Sequence, residues 1–184
     1  MSKKEAGNIY KHHFNAFRII EKEFVKVIED NRKYLSGNKG VDLGAGGGSF
    51  AKLISTNVKT LYCVDVSEEA ISAMQKNLSD MKNIEVTKVS SNSLPFENNT
   101  MNFVFTANSF HDLPIGYESE IKRVLKDGGY YIDLDWKKEN TVSGPPLSIR
   151  LLEEDVISKF KRQGLALIKQ QTIDTHYVLV FQKN

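Results

Sequence analysis

The sequence predicts an α/β chain with a doubly wound, seven-stranded, mostly parallel sheet whose seventh strand runs antiparallel. Three observations carry that reading. Residues 40–48 (Gly40-Val41-Asp42-Leu43-Gly44-Ala45-Gly46-Gly47-Gly48) set an apolar run against a glycine turn, and a helical pattern (Phe50, Ala51, Leu53, Ile54) follows. Asp65 stands about 20 residues further on, at the end of a second apolar run. Two apolar stretches near 165–173 and 176–182 are joined by a turn at Asp174-Thr175, too short for a parallel crossover.

The elements follow in order. Residues 8–35 carry Phe14, Phe17, Ile20, Phe24, Val27 and Ile28 at helical spacing, and Ser36-Gly37-Asn38 closes them with turn residues. A helix is expected over 48–57 and a strand over 60–65. Ser67 reads as an N-cap, with Glu68 and Glu69 in a first turn where the helix dipole favours acids. That helix buries Ala70, Ile71, Met74 and Leu78. Residues 84–89 alternate as a short strand, and 102–107 form another. A helix then ends near Leu125, and Asp127-Gly128-Gly129 turns the chain into a strand over 130–136. The loop 137–150 holds two of the four prolines, Pro145 and Pro146, and a helix over 153–163 leads to the final pair of strands.

Composition bounds the class. A chain of 184 residues, 40% hydrophobic and 26% charged, has the length and make-up of one globular domain. A formal net charge of +2 gives no broad electrostatic reason to expect nucleic acid or a membrane as partner. The N-terminal cluster Lys3, Lys4, Lys11, His12, His13 and Arg18 reads as a solvated face. The single cysteine, Cys63, lies in an apolar strand and fits the core of a protein in a reducing cytoplasm. No signal peptide or membrane span is apparent. The ligand spacings of a metal site are also missing, so no metal is expected.

The glycine turn followed by a distant acid is the pattern of a nucleoside-binding unit: backbone approaches the ligand, and the acid accepts from ribose hydroxyls. Asp42 at the turn narrows the ligand. It would repel the pyrophosphate of a dinucleotide over the helix N-terminus. It suits S-adenosylmethionine (SAM), which lacks phosphate and carries a sulfonium and an ammonium group. Ser49, where a dinucleotide fingerprint wants its third glycine, agrees.

Four ordered motifs then carry a resemblance: Val41–Gly48, Val64-Asp65-Val66-Ser67, Leu94-Pro95-Phe96 and Leu125-Lys126-Asp127-Gly128-Gly129. Over roughly residues 37–184 the chain resembles class I SAM-dependent methyltransferases, in particular the ubiquinone/menaquinone-biosynthesis-type (type 11) group. The resemblance implies a Rossmann-like methyltransferase fold. It implies SAM as cofactor, with Asp42, Gly44, Ala45 and Gly46 at its methionine end, Asp65 on the ribose and Val66 against the adenine. Asn108, at the end of the strand 102–107, is a further cofactor candidate. The acid that the group places after its third strand is replaced by Ser90, with Ser91 and Asn92 next to it. Their uncharged groups accept more weakly. At the start of the strand 102–107, where the group commonly has an acid, Asn102 reads as a surface change.

Residues 1–36 are then expected to form a helical lid, with Tyr10 and Phe14 over the substrate, or else a packing helix on a 37–184 cofactor domain. His111 is the general-base candidate, since an imidazole titrates near neutrality; its alternative is a wall of the site. Asp112 either orients His111 or caps the following helix. Trp136 is an aromatic wall or plain packing. Arg150 is a clamp for an anionic substrate group or a solvated arginine, in a loop whose Gly144-Pro145-Pro146 also matches the group. Asp133 and Asp135 alternate along their strand without the partner that a magnesium site requires. The function expected is methyl transfer to a small molecule, with the oligomeric state open. Protein or RNA methylation, or SAM binding without turnover, are the alternatives; the Asn-Pro-Pro-aromatic stretch of nucleic-acid amine methylation does not occur after Ala107.

Overall fold

In a computed structural model the described residues are 22–90 and 92–184. Helix α1 (Lys22–Asp30) leads into a 3-10 turn at Arg32–Tyr34. Then come β1 (Gly37–Leu43), α2 (Ala51–Ile54), β2 (Val58–Asp65), α3 (Glu68–Asn77), β3 (Ile84–Lys88) and β4 (Met101–Ala107). The chain continues with α4 (Tyr117–Val124), β5 (Leu125–Trp136), α5 (Glu153–Arg162), β6 (Leu165–Thr172) and β7 (His176–Lys183). All seven strands form one sheet in the order β3-β2-β1-β4-β5-β7-β6. The pairs from β3 to β5 are parallel, and β7 runs antiparallel to both β5 and β6, as the short turn before His176 requires.

Alternation along the strands divides the core into two faces. Val27, Ile28, Ala51, Ile54, Ala70 and Met74 of α1, α2 and α3 pack on Leu61, Cys63, Phe103, Phe105, Ile132 and Leu134. On the other face Tyr117, Ile121, Val156 and Phe160 of α4 and α5 cover Val41, Val104, Tyr131, Leu179 and Phe181. Cys63 is a buried free thiol, as expected.

Three boundaries differ from the sequence reading. The helix expected over 48–57 keeps α geometry only over Ala51–Ile54 before a 3-10 turn at Ser55–Asn57. The N-terminal helix stops at Asp30, where the Asn31 side chain donates to Val27 O at 2.8 Å, and Gly37 and Asn38 already belong to β1. Strand β5 starts at Leu125, five residues early: Met101 pairs with Leu125 and Phe103 with Tyr130, so Asp127-Gly128-Gly129 is absorbed as an irregularity inside the strand. Gly128 takes φ +74° there.

Among the described residues no helix links β3 to β4. Instead Arg123 of α4 fastens that link, donating to Phe96 O at 2.7 Å, Leu94 O at 3.0 Å and Asn98 Oδ1 at 2.8 Å. Glu120, paired with Arg123 at 2.6 Å, accepts from Leu94 N. A depression of about 460 Å³ lined by Lys39, Tyr62, Thr87, Phe96 and Met101 lies on this face. It reaches the amino-terminal ends of β1 and β4, the opposite end from the glycine turn. Asn102 is half-buried and Asn102 Oδ1 accepts from Asn38 N and Lys39 N, both at 3.1 Å, so it anchors the start of β1 rather than being a mere surface change.

Candidate functional site

The glycine turn leaves the carboxyl end of β1, where an open α/β sheet exposes loops to ligand. Gly44 N and Ala45 N donate to Val64 O at 2.9 and 3.1 Å, which pins the turn to β2. Gly44 has φ +72°, and a Cβ there would stand 2.6 Å from Ser109 Cβ, so two requirements select glycine at once. Gly46 has φ +54° and no atom within 4 Å of a Cβ built on it: its face is open. Asp65 ties the turn to the next helix. Gly46 N donates to its Oδ2 and Ser67 N to its Oδ1, each at 3.0 Å. Ser67 is the N-cap of α3, accepting from Ala70 N.

Asp42 is 2% exposed and its Oδ2 has no hydrogen-bond partner among the described residues. Burial, and secondarily the charge of Asp65, push its carboxyl up to about 7. An unpartnered carboxylate oxygen in a dry site is costly until a donor meets it. Asn108 takes a left-handed φ of +56° as the chain leaves β4, and its Oδ1 is likewise buried without a partner. Val66 is 44% exposed, an apolar surface beside Asp65. Ser90 is exposed, bridged to Ser93 across the link that Arg123 holds, and Asn92 is exposed as well.

At the ends of β4 and β5 the chain brings together two groups from 24 residues apart. His111 Nδ1 lies 2.8 Å from Asp135 Oδ1 and 2.9 Å from Oδ2, and the His111 amide donates to Oδ2 at 3.2 Å. Burial opposes the charged imidazolium here, but the hydrogen bond and charge of Asp135, with Asp112 and Asp133 behind it, outweigh burial and raise the His111 pKa. Asp133, also buried, accepts from Thr106 Oγ1 at 2.8 Å. Burial and then the Asp135 charge raise its pKa well above the ordinary carboxylate value.

The family comparison agrees with this geometry. A methyltransferase-domain (type 11) family model matches residues 41–133, half of the chain, from the glycine turn to Asp133. The chain is a class I SAM-dependent methyltransferase. The enzyme is 28% identical over 111 residues to a demethylmenaquinone methyltransferase of Staphylococcus saprophyticus, an alignment covering 58% of this chain and 48% of that one. The methyltransferase thus spans about half the length of that curated relative. A solved SAM-dependent methyltransferase from Aquifex aeolicus shares the fold at a TM-score of 0.78 and 26% identity, covering 85% of this chain and 88% of that one. A structure from Sulfolobus solfataricus assigned as a type 11 methyltransferase is 31% identical, with a TM-score of 0.70 over 84% and 89% of the two chains. SAM is accordingly the cofactor. The residues present fit it: the unpartnered Asp42 oxygen answers a cationic group, and Gly46 leaves room at the turn.

The structure narrows three expectations for side chains in the methyltransferase. Asp135 holds His111 Nδ1, while Asp112 meets the other side of the ring, its Oδ2 3.6 Å from Nε2. Asp112 does not cap the next helix, whose N-cap is Gly116. Arg150 is neither a clamp nor solvated. It is 4% exposed, and its guanidinium is occupied by acceptors of its own loop. Trp136 is 8% exposed and packs between neighbours, its ring centroid 4.0 Å from that of His176.

Tyr10, Phe14 and Ser91, with the rest of 1–21, lie outside the described residues. Among the described residues, no three His, Cys, Asp or Glu side chains gather for a metal, and no helix is long and apolar enough to cross a membrane. Sequence reasoning missed Asp135 as the partner of His111. Its one signal was the Asp133/Asp135 alternation, which had been weighed only for metal.

Proposed function

We propose that this methyltransferase acts on a small acceptor bearing a protic group, with His111 as proton acceptor and Asp135 as the residue that positions it. The observation that carries this reading is the His111–Asp135 pair, placed at the same end of the sheet as the glycine turn. A demethylmenaquinone methyltransferase among the relatives supports a small molecule as acceptor.

When bound, SAM supplies a methyl group already activated by its sulfonium, so the chain's task is to bind, orient and remove a proton. Asp42 is assigned the ammonium group, through the buried oxygen that has no other donor. The Gly44-Ala45-Gly46 backbone lines the methionine end. Asp65 takes ribose hydroxyls: each of its oxygens accepts one amide and keeps a second lone pair. Val66 flanks the adenine, and Ser90, Asn92 and Asn108 complete the rim.

Because Nδ1 donates its hydrogen to Asp135, Nε2 is the basic nitrogen. His111 Nε2 would take the proton that the acceptor's heteroatom gives up as the methyl carbon's bond to sulfur breaks and S-adenosylhomocysteine leaves. The imidazolium is then held between Asp135 and Asp112. Asp112, with 29% of its side chain exposed, gives the proton its way out to water.

Tritium-labelled methyl transfer from SAM tests the assignment on cell extract fractionated into small molecules, protein and RNA. Label in the small-molecule fraction is expected, falling about 100-fold or more in His111→Gln. Label in protein or RNA alone would overturn the acceptor class, and undiminished label in His111→Gln would remove the base.

A further inference from the structure

The 137–150 loop leaves the carboxyl end of β5, and one side chain organises nearly all of it. Arg150 Nε donates to Pro145 O at 2.9 Å. Its Nη1 donates to Lys137 O at 3.2 Å and Glu139 O at 2.9 Å, and its Nη2 to Thr141 Oγ1 at 2.8 Å and Ser143 O at 3.2 Å. A guanidinium has five N–H bonds, and all five are committed to the loop that carries it. The same group stacks over Trp136 at 5.0 Å from the ring centroid. Gly144 closes the arrangement. Its φ is +105°, and a Cβ there would come within 2.8 Å of Arg150 Nη2 and 2.9 Å of the Trp136 ring.

Trp136 connects this loop to the reacting end. Its backbone amide donates to Asp135 Oδ1 at 2.7 Å, the carboxylate that holds His111. Its ring packs on His176, which in turn meets Phe24 of α1 edge-on at 4.9 Å. We infer that Arg150 is a positioning residue: it folds the 137–145 loop into a fixed wall on the acceptor side and holds Trp136 in place beside the His111–Asp135 pair.

The inference rests on the proposed placement of the acceptor for its role, but not for its test. The guanidinium is fully engaged with its own loop, so it selects no anion. The loop it holds is mostly polar, with Val142 fully exposed in it and Trp136 packed beneath the guanidinium. Lysine keeps the charge but lacks the planar fork, so it cannot serve five acceptors in fixed directions.

Trp136 is the chain's only tryptophan, so its fluorescence reports the wall directly. The experiment compares wild type, Arg150→Lys and Gly144→Ala by tryptophan emission with and without S-adenosylhomocysteine, by trypsin cleavage after the exposed Lys138, and by calorimetric affinity for S-adenosylhomocysteine. Both variants are expected to shift emission to the red and speed cleavage at least about tenfold, as a loop released from its anchor opens more often. Affinity is expected to stay within about twofold, the cofactor turn being an independent site. Unchanged emission and cleavage in Arg150→Lys would overturn the inference. So would a shift in Gly144→Ala alone, because the loop would then hold its shape without the fork. Loss of affinity in step with the other changes would make Arg150 a residue of the general fold. If wild type itself failed to bind S-adenosylhomocysteine, the cofactor reading would fall while emission and cleavage still judged Arg150.

Discussion

His111 and Asp135 are joined twice: the imidazole Nδ1 approaches the carboxylate at 2.8 Å, and the His111 amide donates to the same carboxylate at 3.2 Å. Both ring and backbone of His111 are therefore fixed relative to β5. The imidazole's side chain is 1% exposed, so its protonation state is set by its carboxylate neighbours rather than by water.

The first prediction concerns that protonation. The His111 pKa is raised, so the imidazolium is favoured by folding. Its contribution to stability is complete below the unfolded value of about 6.5 and is lost as pH rises through the folded value. NMR titration should place the His111 midpoint above 6.5 in wild type and below it in Asp135→Asn, where burial acts with less opposition. The melting-temperature difference between wild type and His111→Gln should be larger at pH 6 than at pH 9. Equal differences would show that Asp135 does not stabilise the charged ring.

Asp42 behaves in the opposite functional sense. Its carboxyl titrates at about 7, above an unfolded value near 4. Folding therefore favours its protonated form, and the free protein loses stability as pH rises from about 4 through 7. Asp42→Asn should remove that loss and melt higher than wild type at pH 8. It should also bind S-adenosylhomocysteine about 10- to 100-fold more weakly, the worth of a charge-assisted bond in a dry site. Wild-type affinity should increase between pH 6 and 8, and the variant's should stay flat.

These two carboxylates also mark what was legible in the sequence. Asp42 and Asp65 were readable because a glycine turn at a strand end fixes where the neighbouring side chains project, and because the ligand classes differ in charge. Asp135 was not readable as the partner of His111. The pairing depends on the register of β4 on β5, a tertiary fact with no local pattern. Arg150 was misread for a related reason: four of its five acceptors are backbone carbonyls, which leave no mark in residue type. The Asp127-Gly128-Gly129 turn was misplaced because glycine suits an irregularity within a strand as well as a turn between elements.

Asp133 gives a stability prediction with little effect on chemistry. It is buried, with its pKa raised by burial, and accepts from Thr106, whose hydroxyl also meets the Tyr131 hydroxyl at 2.8 Å. Asp133→Asn keeps the shape and an acceptor oxygen and should unfold in urea within about 1 kcal/mol of wild type. Asp133→Ala strands a buried hydroxyl pair and opens a cavity, and should cost about 2–4 kcal/mol. Equal costs for the two variants would show that the acceptor oxygen facing Thr106 contributes nothing.

Two glycines of the first strand and turn should respond differently to the same substitution. A Cβ at Gly40 would meet the Phe103 ring at 2.1 Å, so Gly40→Ala should lower the melting temperature severely. A Cβ at Gly46 meets nothing within 4 Å, so Gly46→Ala should cost only the left-handed backbone penalty, about 1–2 kcal/mol. It should nevertheless weaken S-adenosylhomocysteine binding, because the open face of Gly46 is where ligand approaches. Normal binding by a stable Gly46→Ala protein would move the cofactor off the turn.

The central claim is that this methyltransferase holds its cofactor on the glycine turn with Asp42 and Asp65. Calorimetric titration of S-adenosylhomocysteine into wild type and Asp65→Ala, with NADH and NADPH as controls, tests it most directly. The account predicts micromolar binding of S-adenosylhomocysteine alone to wild type, and its loss in Asp65→Ala. Unchanged affinity in Asp65→Ala, or binding of the nicotinamide cofactors in its place, would contradict it.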